Sequence, residues 1–169
     1  MDKKNDYKAR AFRLLIFSAF TIKTTKNSIH SRLSDKKINI SHPALIVLHY
    51  IKHGPNTIKR ISELMLISAP TLVPVIDLLE KKQLLKRTKN EKDRRENILE
   101  LTKKGKSLVR TIPMIDESGA IVKSLTKLGQ KKSKEFLKLY YEFINNLEDN
   151  SENSKKMQAY IKNLEKDAN

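Results

Sequence analysis

The chain contains no cysteine. That excludes disulfides, thiolate metal sites, cysteine nucleophiles and thiol-based sensing. Glycine and proline are scarce, at four and five in 169 residues, which rules out collagen-like or proline-rich repeats and leaves long stretches free to be helical. Long hydrophobic runs are missing too. The greasy stretch Leu14 to Phe20 falls far short of the roughly 20 residues a membrane helix needs, and Arg10, Arg13 and Lys23 bracket it. No stretch combines a basic start, an apolar core and a small-residue cleavage site, so the expected location is cytoplasmic, with no membrane partner. No glycine-rich phosphate loop and no nucleophile–base–acid arrangement occurs, so neither an enzyme nor a cofactor is expected. His49 and His53 share a helical face, but no carboxylate accompanies them at ligand spacing. His30, His42, His49 and His53 therefore read as structural or surface residues, and no metal site is expected.

What is abundant is positive charge. Thirty-five Lys and Arg face nineteen Asp and Glu, for a net charge of +16. Such an excess points to a polyanionic partner, nucleic acid before membrane. The charge is concentrated. Residues 1–37 hold ten cations against three acids, and residues 81–110 hold twelve against four. The final third is nearly neutral.

Hydrophobic spacing sets the expected elements. Phe12, Leu15, Ile16, Ala19, Ile22 and Ile29 recur at helical intervals and predict a helix over Tyr7 to Leu33. Asn39, Ser41 and Pro43 mark a turn, after which Ala44 to Ile51 is apolar almost all round and predicts a buried helix ended by Gly54 and Pro55. Thr57 and Ser68 are candidate N-caps of two short helices, the first carrying Ile58, Ile61 and Leu64 inward, the second Leu72, Val75 or Ile76, and Leu79. Ser62 is small enough to let them cross closely. Leu84 to Thr88 and Ile98 to Leu101 read as strands around a wholly polar connection, Lys89 to Asn97. Thr102 is then placed to cap a long helix with Leu108, Ile112, Ile115 and Ile121 on its apolar side, bent or interrupted at Pro113 and Gly119. A further helix is expected from about Lys131 to Leu147, striped by Phe136, Leu139, Tyr140, Phe143 and Ile144. A hinge at Asp149 to Lys155 and a last amphipathic piece with Met157, Tyr160, Ile161 and Leu164 follow.

The fold class expected is therefore mainly α with a small β hairpin: a winged helix-turn-helix lobe plus N- and C-terminal dimerisation helices. The divisions are 1–37 for the N-terminal dimerisation helix, 38–108 for the lobe, and 109–169 for the C-terminal helices and tail. The long flanking helices carry more apolar surface than so small a lobe can cover, and a second copy would cover it.

The stretch from His42 to Val109 resembles the MarR family of transcriptional regulators. The resemblance is most specific in the wing: LLKR at 84–87, DRR at 93–95 and LELTKKG at 99–105. It implies a homodimer whose two winged lobes hold pseudo-palindromic double-stranded DNA, usually as a repressor. It also implies a small aromatic or phenolic ligand between the dimer helices and the lobe in some members. Residues 69–82 match the recognition helix, Thr71 its usual threonine, and Asp77 and Glu80 recurrent acidic positions tied to packing. Asp93 matches the wing aspartate and Arg95 the arginine that reaches the minor groove. Arg94 matches a more variable tip position. Pro74, Leu78 and Gln83 depart from the pattern, standing where DNA-contacting polar, basic and glycine residues are common. Pro74 also deletes the amide that would bond to Pro70, which predicts a kink.

The expected DNA contacts are Thr57, Lys59, Arg60, Ser68, Ala69, Thr71, Val73, Pro74, Lys89, Lys92, Arg94 and Arg95, within a basic run from Lys86 to Arg95. Asp93 is expected to support the wing. Thr57 and Ser68 serve as caps whose exposed amides also suit phosphates. Ala69, Thr71 and Val73 offer only methyl groups and one hydroxyl to base edges. Phe17, His42 and Tyr50 are a candidate ligand cleft, with packing as the alternative reading. A second account keeps the fold but has the dimer act through protein–protein contacts or non-specific DNA binding, because no Lys or Arg occurs between Ser68 and Glu80.

Overall fold

The structure is a computed structural model and describes residues 3–54, 56–90 and 96–147. The elements run α1 (Lys3–Asp35), α2 (His42–His53), α3 (Ile58–Leu64), α4 (Ala69–Lys81), β1 (Leu85–Lys89), β2 (Asn97–Leu101), α5 (Lys103–Thr111) and α6 (Ala120–Asn145). The chain is thus mostly helical with one antiparallel hairpin, as its hydrophobic spacing indicates. Among the described residues, no single helix is long and apolar enough to cross a membrane. Expectations for Pro55, for the wing tip at 91–95, and for the hinge and final amphipathic piece beyond residue 147 lie outside the described residues.

The chain packs as two units, residues 1–42 with 112–137, and residues 43–111 with 138 onward. In the first unit, Ile29, Leu33 and Ile112 are buried. Arg32 Nη1 donates to the Pro113 carbonyl at 2.9 Å and lies 3.6 Å from Asp116. The hydroxyl and amide of Ser118 hold the Asp116 carboxyl below its ordinary pKa, and Arg32 adds to the effect.

The second unit contains the lobe. Ala44, Leu45, Val47 and Leu48 of α2 are fully buried. In α4 the buried residues are Leu72, Ile76 and Leu79, spaced four and three apart, so one side of the helix faces inward. Of the two alternatives at the middle position, Ile76 takes the core and Val75 is only half-buried. The hairpin register pairs Leu85 with Leu101 and Arg87 with Leu99. Leu85 and Leu99 point into the core.

Three expectations need correction. The helix after Thr102 is not long: α5 stops at Thr111, and α6 begins only at Ala120. Of the two roles open to Pro113 and Gly119, a bend or an interruption, the chain takes the interruption, since both lie between α5 and α6. The buried side of α5 is formed by Gly105 and Val109, with Leu108 half-buried and Ile115 and Ile121 exposed. The last helix starts eleven residues before Lys131, at Ala120, although Gly129 interrupts it with φ 76° and ψ 164°. Those angles suit only glycine, so the regular stretch does resume near Lys131. Pro74 lies inside α4, which runs unbroken from Ala69 to Lys81.

Scarcity of glycine leaves a mark on the backbone. Helices α1, α3 and α4 all close through the same reverse turn. The amides of Ile38, Ile67 and Leu84 donate to the carbonyls five residues back, at Leu33, Ser62 and Leu79. The residue before each amide must adopt left-handed angles, and these are Lys37 (φ 54°), Leu66 (φ 54°) and Gln83 (φ 58°). Glycine usually fills that place, since a side chain costs about 1 kcal/mol there. Gln83→Gly is therefore expected to stabilise the protein by about 1 kcal/mol, read as a raised midpoint in urea at unchanged slope. An unchanged or lowered midpoint would show that the left-handed turn carries no strain.

Candidate nucleic-acid interface

The candidate site lies within the second unit. Thr57 caps α3, its Oγ1 accepting from the Arg60 amide at 3.2 Å. Ser68 caps α4, its Oγ accepting from the Thr71 amide at 3.4 Å and sitting 2.7 Å from Thr71 Oγ1. Each cap thus satisfies a first-turn amide of its helix, and Pro70 has none to offer. The turn between them bends the chain by 115°, which is helix-turn-helix geometry. Ser62 is buried near the crossing, and its hydroxyl is satisfied by the Lys59 carbonyl at 2.8 Å.

The hairpin is tied to both helices. On one side of β2, the Leu99 amide donates to the Asn56 carbonyl at 2.6 Å, and Thr57 bridges Ile98. On the other, β1 is fastened to α4 through Arg87. Its Nη2 lies 2.6 Å from Asp77 Oδ1, its Nη1 pairs with Glu80 Oε2, and its backbone amide donates to Glu80 Oε1 at 3.1 Å. Burial disfavours charge on Arg87, yet the two carboxylates outweigh it and raise its pKa above the ordinary value. Across the hairpin, Lys86 pairs with Glu100 at 2.7 Å, and that bond holds the Glu100 carboxyl below its usual range.

Thr102 and Gly105 close the base of the wing. Thr102 Oγ1 donates to the Gln83 carbonyl at 2.7 Å and accepts from the Gly105 amide at 3.1 Å. Its amide donates to the Leu84 carbonyl at 3.1 Å.

Lys59, Arg60, Ser68, Ala69, Thr71, Val73, Pro74 and Lys89 all fall on this unit with Thr57. Lys59, Ser68, Thr71, Val73, Pro74 and Lys89 are exposed, whereas Thr57, Arg60 and Ala69 are half-buried. Arg60 is 3.6 Å from Glu63. Lys92, Asp93, Arg94 and Arg95 lie outside the described residues.

Among the described residues of the basic run, Lys86 is paired across the hairpin and Arg87 is committed to α4. Arg87 faces Asp77 and Glu80 and is a clamp, not a free cation for phosphate. The signal for it was available: two acids three apart on one helix, followed seven residues later by an arginine in the middle of a strand. Neither the helix nor the strand alone reveals the pairing.

The candidate ligand residues are distributed between the units. Phe17 is 63% exposed on α1, and His42, half-buried, is the first residue of α2; both belong to the first unit. Tyr50 is half-buried in the second. Burial, then the charge of Lys26, lowers the His42 pKa, and burial raises that of Tyr50.

Comparison with known proteins agrees with this geometry. Residues 30–112 match the family model described as transcriptional regulator SarA/Rot. The HTH-type transcriptional regulator MgrA of Staphylococcus aureus is 26% identical over 139 residues, covering 82% of this chain and 92% of that protein. Among solved structures, the transcriptional regulator Tm0710 of Thermotoga maritima aligns with a TM-score of 0.51 and 26% identity, over 84% of this chain and 96% of that one. The fold also matches Streptococcus pneumoniae FabT in complex with DNA, with a TM-score of 0.64 at 22% identity, over 83% of this chain and 99% of that one. With the capped helix pair and the tethered hairpin, these matches make the chain a winged helix-turn-helix protein similar to the MarR/SarA family of DNA-binding transcriptional regulators.

Proposed function

We propose that the protein is a homodimeric repressor that binds pseudo-palindromic operators in double-stranded DNA. The observation that carries this reading is the tethered lobe. Two capped helix N-termini and a cationic hairpin belong to one packed unit, which suits simultaneous contact with phosphates, a major groove and the adjacent minor groove. In this reading Thr57, Lys59, Arg60 and Ser68 hold phosphates. Ala69, Thr71, Val73 and Pro74 face bases, Lys89 and Lys92 hold the backbone beside the wing, and Arg94 and Arg95 serve the minor groove with Asp93 in support. Dimerisation is supported by the large apolar side chains exposed on α1, among them Phe12, Leu15, Phe17 and Phe20. A small aromatic or phenolic effector is proposed as a further ligand.

The test is a fluorescence-anisotropy series with duplex DNA at rising salt. Affinity should fall by roughly a thousandfold or more between about 50 and 200 mM salt if six or more phosphates are engaged. Arg95→Ala should weaken binding more than Lys162→Ala, which removes the same charge from the near-neutral tail. Salt-insensitive or absent binding would remove the reading, and equal effects of the two variants would remove the special role of the wing.

A second reading, in which the dimer coats DNA without sequence preference or acts on a protein, is favoured by one observation: no cation lies between Ser68 and Glu80. Genome-wide footprinting separates them. Discrete palindromes support the operator-specific repressor, diffuse occupancy supports coating, and none supports a protein partner.

A further inference from the structure

The outward side of α4 is chemically unusual for a helix that reads DNA. Opposite the buried Leu72, Ile76 and Leu79 it presents Pro70, Thr71, Val73, Pro74, Asp77 and Leu78. Val73 and Leu78 are 37% and 41% exposed. Hydrogen-bonded readout of the major groove uses Arg or Lys for guanine, Asn or Gln for adenine, and Asp or Glu for cytosine. Residues 69–80 include none of the first four types. The two acids present, Asp77 and Glu80, are both held by Arg87. Thr71 has its hydroxyl engaged with Ser68. The side therefore has almost no free hydrogen-bonding capacity toward a base edge, while its hydrocarbon is rigid: two prolines and a β-branched valine lose little freedom when covered.

Only one base offers an apolar group in the major groove, and that is thymine through its C5 methyl. The elements of the same unit carry exposed cations, Lys59 on α3, Lys81 at the end of α4 and Lys89 on β1, so a polyanion is the occupant its charge suits. We infer that α4 selects DNA by thymine methyl groups: the half-site places thymines where Val73, Pro74 and Leu78 meet the major groove, and no guanine is read by hydrogen bond. The inference rests on the DNA-binding reading above and adds to it the chemical identity of what is read.

Deoxyuridine isolates the claim, because it lacks only the methyl and keeps every base pair. Duplexes selected by the full-length protein from a random pool would be compared with the same duplexes carrying deoxyuridine throughout, at one salt concentration. The dissociation constant should rise by about tenfold or more, at roughly fourfold per methyl-sized group removed from contact in each half-site. The Val73→Ala, Leu78→Ala double variant should bind the thymine duplex more weakly and bring the uridine-to-thymine ratio close to one. Both residues are on the surface, so the fold is spared.

Equal affinity for the two duplexes, with salt-sensitive binding to both, would overturn the methyl readout while leaving DNA binding intact, and would leave the apolar side for a protein partner. A ratio that the double variant does not change would also overturn it, since the methyls would then act through duplex stiffness and not through α4. Absence of salt-sensitive binding to either duplex would remove both readings together.

Discussion

Gly105→Ala is expected to destabilise the protein by about 3 kcal/mol, the upper end of what one added methyl costs in a tight core. A Cβ at that position would stand 1.9 Å from the Leu84 carbonyl oxygen and 3.0 Å from its carbon. The obstacle is backbone and not a flexible side chain. It also has no room to yield, because the same carbonyl accepts from the Thr102 amide at 3.1 Å and from Thr102 Oγ1 at 3.3 Å. Moving α5 away breaks those bonds and uncovers Val109, which is 1% exposed. Urea denaturation would measure the loss, with Ser107→Ala as an exposed control expected to change stability by less than about 0.5 kcal/mol. A Gly105→Ala midpoint equal to that of the control would mean that α5 and the entry to β1 are not in close contact.

Arg87→Ala is expected to weaken DNA binding by roughly tenfold or more while costing only about 1–2 kcal/mol of stability. The asymmetry has a physical origin. Arg87 is partly exposed, so solvent screens its ion pairs and limits their contribution to folding. Its removal, however, leaves Asp77 and Glu80 uncompensated on the helix that would lie nearest the phosphates, and frees β1 from α4. Restoring neutrality by Arg87→Ala with Asp77→Asn and Glu80→Gln should recover the electrostatic part of the loss and leave the part due to the untethered hairpin. Anisotropy at two salt concentrations separates these, because the repulsive part shrinks as salt rises. Unchanged affinity of Arg87→Ala would show that the clamp does not contribute to binding.

Much of the lobe was legible because its signals are local. Thr57 and Ser68 precede apolar residues at helical spacing, and each does cap its helix. Alternation in LLKR and ILEL gave the strands to within a residue. The region after Thr102 was harder to read. Leu108, Ile112, Ile115 and Ile121 continue a helical rhythm, but Pro113 and Gly119 dominate, and rhythm alone does not tell a bent helix from two helices. The buried side of α5 was misread because its closest contact is made by a residue with no side chain, Gly105. The Arg87 clamp was hidden for a different reason: its three members, Arg87, Asp77 and Glu80, come from a strand and a helix whose relative placement only the fold supplies. The candidate DNA contacts remain a reading of residue type and element, with Lys92, Asp93, Arg94 and Arg95 read from sequence pattern alone.

The hydrogen bond from Leu99 to Asn56, with the single bridge between Thr57 and Ile98, fastens the segment before α3 to the edge of β2. With Arg87 and Thr102, it braces the lobe at three separate corners, like a truss. So braced, the lobe is expected to unfold as one cooperative body and not element by element.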